Sequence, residues 1–91
     1  MTKHTKLRIK VVNSIYQLYP SSFIYCPVDM VRKGIPDILW LHDGTLIAIE
    51  IKIYPDRLDA IQRQNLMDIK RAGGISILIE EKNNKILMSM L

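Results

Sequence analysis

The chain has a single cysteine, Cys26, so it can form no internal disulfide and no cluster of thiolates for a metal. It also lacks any uninterrupted apolar run near the roughly 18 residues that a membrane span needs. No apolar stretch follows its charged first residues, which excludes a reading of them as a signal peptide. A reduced, cytosolic domain is therefore expected. Glycine and proline are sparse, four of each, and neither a repeat nor a low-complexity segment occurs. Acid is absent from the start of the chain: no Asp or Glu precedes Asp29, while Lys3, Lys6, Arg8 and Lys10 fall in the first ten residues. That skew, more than the formal net charge of +4, is the electrostatic footprint of a protein that meets phosphate backbones.

What is present is ordinary globular material, 48% hydrophobic and 24% charged, which excludes a disordered tail. The 91 residues make one domain. A monomer of this size buries only roughly 60–65% of its unfolded surface, so a core shared with a second subunit is a natural expectation. Residues 5–19 carry a helical pattern in which Leu7, Val11, Val12, Ile15, Tyr16, Leu18 and Tyr19 form a broad apolar sector, with Lys6, Lys10, Asn13 and Gln17 on the polar stripe. Pro20 ends it. The sector is too wide for a one-sided contact: the helix is either sandwiched inside the domain or also meets another subunit. Residues 22–28 look like a short strand. Asp37–His42 and Thr45–Ile53 are strand-like runs on either side of Asp43-Gly44, a strong hairpin signal because both turn positions need positive φ. Residues 57–72 are expected to be helical, with Asp56 as N-cap and Gly73-Gly74 as the stop. Ile75–Glu80 and Lys85–Met90 complete the chain as a strand pair. Helix, three strands, helix and two strands predict an α/β sandwich around a central mixed sheet.

The hairpin places two acids together. With Asp43 and Gly44 as the loop, Asp37 lies opposite Glu50, where directly opposed Cβ atoms are roughly 4.5–5.5 Å apart and like charges repel. Lys52, two residues beyond Glu50, shares their face with Leu39, Leu41, Leu46 and Ala48, because strand side chains alternate. Ile38, Trp40, Ile47, Ile49 and Ile51 form the other, core face. Charge at such a place needs compensation. An ion pair with Lys52 covers one acid, whereas a divalent cation such as Mg²⁺ compensates both and suits a site of carboxylate and carbonyl oxygens completed by water. The helix over 57–72 adds a second irregularity. Its apolar face of Leu58, Ile61, Ile69 and Ala72, with Leu66 at the margin, includes the amides Gln62 and Asn65, which need partners if buried. Hydrogen bonds to nearby backbone suit Asn65. Cys26 reads as a small core residue, Trp40 as core or subunit interface, and His42 as a polar strand end. Neither His4 nor His42 pairs with a nucleophile-like Ser or Cys.

Gly34-Ile-Pro-Asp37, followed thirteen residues after the Asp by Glu50-Ile-Lys52, resembles the motif of the PD-(D/E)XK nuclease superfamily. Gln62, separated by ten residues from Gly73-Gly74, adds a likeness to its VRR-NUC branch, the virus-type replication-repair nuclease domain. The resemblance runs over residues 5–80 and implies a restriction-endonuclease-like core. It implies a Mg²⁺- or Mn²⁺-dependent deoxyribonuclease in which Asp37, Glu50 and the carbonyl of Ile51 ligate the metal. Lys52 would orient or polarise the attacking water, and Gln62 would hold water or the scissile phosphate at the edge of the site. Metal generates hydroxide near neutral pH and neutralises charge on the phosphate. Arg32 and Lys33, just ahead of Asp37, are then expected to clamp the DNA backbone, with Lys6 and Lys10 as further contacts. Members of the branch commonly carry an acid on the first helix; here His4 or Lys6 stands about where it would be, which leaves a one-metal nuclease, or a slow or substrate-restricted one. The expected substrate is branched DNA, such as flaps or four-way junctions, cut by a homodimer, and a phage or prophage origin would suit a stand-alone chain. The alternative is a DNA-binding or assembly module that keeps the fold without efficient cleavage.

Overall fold

The computed structural model describes residues 1–28 and 31–91, leaving Asp29 and Met30 aside. Helix α1 spans Lys3–Leu18, and the strands β1 (Phe23–Tyr25), β2 (Ile38–His42) and β3 (Thr45–Ile53) follow. Helix α2 covers Ala60–Arg71, ahead of β4 (Ile75–Lys82) and β5 (Lys85–Met90). The five strands form one sheet in chain order, antiparallel throughout except for the parallel β3–β4 pair that α2 bridges. The mixed sheet and the two helices are those expected from the sequence.

Periodicity in β3 explains its central place. Ile47, Ile49, Ile51 and Ile53 alternate with Ala48, Glu50 and Lys52, so one face of the strand is wholly branched and apolar. That face receives α1: Leu7 and Ile15 join Ile38, Ile49, Ile51 and Ile79 in the main core. The opposite face carries α2, whose Leu66 is completely buried and whose Leu66 carbonyl accepts a 2.6 Å bond from the hydroxyl of buried Ser76. The hairpin turn is as expected, with Asp43 at φ 48° and Gly44 at φ 75°, and it sets the register Ile38↔Ile49 through His42↔Thr45. Trp40 packs against the core and its indole N–H donates to Ser22, 2.9 Å away. Cys26 likewise packs against the core. No helix among the described residues is long and apolar enough to cross a membrane.

Three expectations change. Helix α1 begins at Lys3, two residues early, because the hydroxyl of Thr2 caps it by accepting from the Thr5 N–H. Helix α2 begins at Ala60 rather than 57, because Asp59, not Asp56, is the N-cap: its carboxylate accepts from the Gln62 N–H at 2.7 Å, and the Gln62 side chain accepts from the Asp59 N–H at 3.1 Å. This reciprocal box is stronger than a lone cap. On α2, Leu66 and Asn65 form the buried stripe while Ile61 is 51% exposed. Nor is α1 sandwiched: Ile9, Tyr16 and Leu18 stay exposed, and Tyr19 just past its end is 44% exposed while its ring lies 5.5 Å from that of Trp40. Asp59→Ala should lower stability by about 1 kcal/mol, whereas Asp56→Ala should be close to neutral. Equal midpoints in paired urea titrations would refute the cap assignment.

Candidate active site

The β2–β3 ladder stops at Ile38↔Ile49, and the next residue back, Asp37, leaves the strand. Its carboxylate takes over the role of the missing strand. Oδ2 of Asp37 accepts from the Ile51 N–H at 2.8 Å, one residue past the Glu50 it was expected to oppose. In an extended strand the N–H and C=O of one residue point the same way. The Ile51 carbonyl therefore also faces the space beyond the end of β2, beside Asp37.

The loop before Asp37 is held by α2. Gly34 has φ 75°, and a Cβ there would come within 2.7 Å of Ile61 Cγ2 and 2.9 Å of Asn65 Nδ2, so only glycine fits. The buried Asn65 amide donates to the carbonyl of Lys33 at 2.9 Å and to that of Ile61 at 3.2 Å. Its oxygen accepts from Arg32 through Nε at 3.0 Å and Nη2 at 2.7 Å. Pro36 is fully buried between this loop and Asp37. The Gly-x-Pro-Asp sequence is thus a mount that delivers Asp37 to the end of β2.

Glu50 is 3% exposed on the α2 side of β3. Its carboxyl is pushed up to about 8 by burial first and by the charge of Asp37 second, against the opposing pull of Lys52. Lys52 Nζ lies 3.8 Å from Oε2, and both side chains are largely enclosed. Oε1 of Glu50 is buried with no hydrogen-bond partner among the described residues. An unpartnered buried carboxylate oxygen beside a second carboxylate fits an added cation. Among the described residues no three His, Cys, Asp or Glu side chains converge to hold an ion. The donors at hand are therefore Asp37, Glu50 and the Ile51 carbonyl, with water to complete the shell.

The structure brings Asp37, Glu50, Ile51 and Lys52 to one end of the β2–β3 hairpin. Gln62 is half-buried, and its side-chain oxygen serves the α2 capping box. Arg32 is tied to Asn65, and Lys33 is exposed beside it. Lys6 and Lys10 are exposed on α1 and, with Lys3 and Glu81, line a separate cleft of about 150 Å³. Two residues contribute beyond their sequence reading. Asn65 bonds not only to nearby backbone but across to the loop, and His4 reaches Asp37 through Nε2 at 3.2 Å. The sequence signal for His4 was its position on the first helix in a region devoid of acid.

No protein-family profile matches the chain, and no curated protein does. Solved structures do. Hjc from Archaeoglobus fulgidus, a Holliday junction resolvase from an archaeal hyperthermophile, superposes with a TM-score of 0.69 at 15% identity, covering 94% of this chain and 75% of its own. A VRR_NUC domain superposes with a TM-score of 0.67 at 18% identity, covering 90% of this chain and 87% of its own. The chain has the restriction-endonuclease-like fold. The resemblance of its motifs to PD-(D/E)XK nucleases is matched in the arrangement of sheet and helices.

The raised Glu50 carboxyl gives a pH signature. The folded chain keeps a proton that the unfolded chain releases above its ordinary value of 4.5, so stability falls as pH rises from 4.5 towards about 8 and levels off beyond. The slope in that window is on the order of 1 kcal/mol per pH unit. Melting of wild type and Glu50→Gln in EDTA from pH 5 to 9 should show wild type losing ground to the variant, and Mg²⁺ at pH 8 should restore wild type alone. A constant difference between the two proteins would contradict a retained proton on Glu50.

Proposed function

We propose that this chain is a divalent-metal-dependent nuclease that hydrolyses DNA phosphodiester bonds, selects branched DNA, and works as a homodimer. The observation that carries the reading is the enclosed Asp37–Glu50–Lys52 group, with its unpartnered Glu50 oxygen, at the end of a hairpin in a nuclease fold. A structural ion pair does not account for it, because Lys52 reaches one oxygen of Glu50 and leaves the other without a partner.

In this reading Asp37, Glu50 and the Ile51 carbonyl hold Mg²⁺ or Mn²⁺. A bound cation supplies charge neutralisation at the phosphate and a lowered pKa for water. Asp37 is fixed by the Ile51 N–H, so its carboxylate would need little reorganisation to hold a cation. Lys52, an ammonium enclosed beside Glu50, orients the attacking water and offsets charge developing on the phosphate. Gln62 borders the site on the first turn of α2. Arg32 and Lys33 bind the DNA backbone next to the scissile bond, and Lys6 and Lys10 add contacts from α1.

Dimerisation draws support from uncovered apolar surface. All six residues of β5 are exposed, Leu87, Met88 and Met90 by 57–72%. An open apolar groove of about 290 Å³ runs between α1 and the β4–β5 side of the sheet. Two copies joined there would present two sites to paired strands, an arrangement suited to a four-way junction, and Hjc is itself a Holliday junction resolvase.

The test is cleavage of labelled duplex, flap and four-way-junction DNA with Mg²⁺, Mn²⁺ or EDTA. Wild type should cut junction or flap best and only with metal, Asp37→Ala should abolish cutting, and Lys52→Ala should lower kcat by roughly 10²–10⁴. Tight DNA binding without cleavage on any substrate would replace the nuclease by a binding or assembly module. In the same preparations, neutralising Arg32 and Lys33 together should reduce the salt slope of DNA affinity by about two. Light scattering should give twice 10.6 kDa, and a monomer would remove the paired-site argument.

A further inference from the structure

Oδ2 of Asp37 accepts two N–H donors from separate parts of the fold: the Ile51 amide at 2.8 Å and His4 Nε2 at 3.2 Å. The first comes from rigid sheet backbone. One bond fixes the position of a carboxylate oxygen but leaves the group free to turn about its own axis. A second donor to the same oxygen, from a different direction, removes that freedom. Both bonds fall on Oδ2 and neither engages Oδ1, while Oε1 of Glu50 is without a hydrogen-bond partner among the described residues.

From this we infer that His4 is a positioning residue for the cation site, and that the site takes one divalent ion per chain. The inference rests on the carboxylate-site reading above. His4 lies in the first turn of α1, directly after the capping residue Thr2 and Lys3. Its side chain is 37% exposed and that of Asp37 is 19% exposed, so the bond closes the solvent side of the carboxylate. With Nε2–H donating, the imidazole binds the carboxylate rather than the cation. A histidine or other donor that orients a ligating carboxylate in this way typically contributes 10–100-fold to metal affinity.

The charge inventory sets the number of ions. The site holds two carboxylates and one ammonium, and the first turn of α1 contributes no acid. With both acids ionised the group carries a charge of −1, and one divalent cation takes it to +1. A second would leave it strongly positive in an enclosed setting, which is costly.

The experiment is Mn²⁺ titration of the DNA-free full chain, with free Mn²⁺ read by electron paramagnetic resonance and folding checked by circular dichroism. Wild type should bind one Mn²⁺ per chain. His4→Ala should bind the same number at least about tenfold more weakly. His4→Gln, whose amide nitrogen reaches about as far as Nε2, should recover affinity close to wild type. Unchanged affinity in His4→Ala would overturn the inference, as would two ions per wild-type chain. Equal weakness of His4→Gln and His4→Ala would overturn it too, pointing to direct ligation by the imidazole. Asp37→Ala separates this from the underlying reading: it should abolish binding, and retention of the ion there would displace the carboxylate site itself, whatever the His4 variants do.

Discussion

The hydrogen bond from the Ile51 amide to Asp37 organises this molecule. Strand β3 runs four residues past its last pairing with β2, and on that side the amide of fully buried Ile51 would otherwise lack a partner. Asp37 supplies the acceptor. In doing so it anchors the loop that precedes it, sets its charge close enough to Glu50 to raise that carboxyl, and gives His4 a group to reach from α1. Parts of the chain far apart in sequence are thus fastened at one carboxylate. A residue at position 37 without a side-chain acceptor would leave the ladder unfinished and the loop without its terminus.

Glu50 shows the cost of this arrangement. A carboxyl buried on a strand next to a second carboxylate is unfavourable by every local rule, and the protein answers by raising its proton affinity. Lys52 relieves the strain only partly, at 3.8 Å from a single oxygen. The surrounding structure must therefore be rigid enough to hold the pair, and it is: β3 lies between β2 and β4 with Ile38, Ala48 and Ile51 fully buried around it. Stability is concentrated where the site is least comfortable, as is common where local strain serves a function.

The hairpin was the most legible part of the sequence, because Asp43-Gly44 and strict alternation fix turn and register together. That same register set Glu50 and Lys52 on one face of β3, but Asp37, expected opposite Glu50, leaves the strand and bonds the Ile51 amide instead. The start of α2 was not legible. Asp56 and Asp59 are equally good caps in isolation, and only the Gln62 side chain, returning to the Asp59 amide, decides between them. The role of Asn65 escaped for a related reason. Its partners lie 32 and 33 residues away, in a loop with no periodicity to reveal where it runs. The His4–Asp37 bond joins residues 33 apart and was equally out of reach, although the lack of acid near the start of the chain marked the place.

Every strand in the sheet pairs with its neighbour in sequence, so most of the β-structure is assembled from short chain loops. Such local pairing shortens the conformational search, and long closures come late. Helix α1 precedes every strand in the sequence, yet its resting place is built by β3 and β4. His4 and Asp37 are 33 residues apart, so their bond exists only where α1 is docked on the sheet. A hairpin without its docked helix would lack the imidazole, and the geometry at Asp37 is a property of the whole fold.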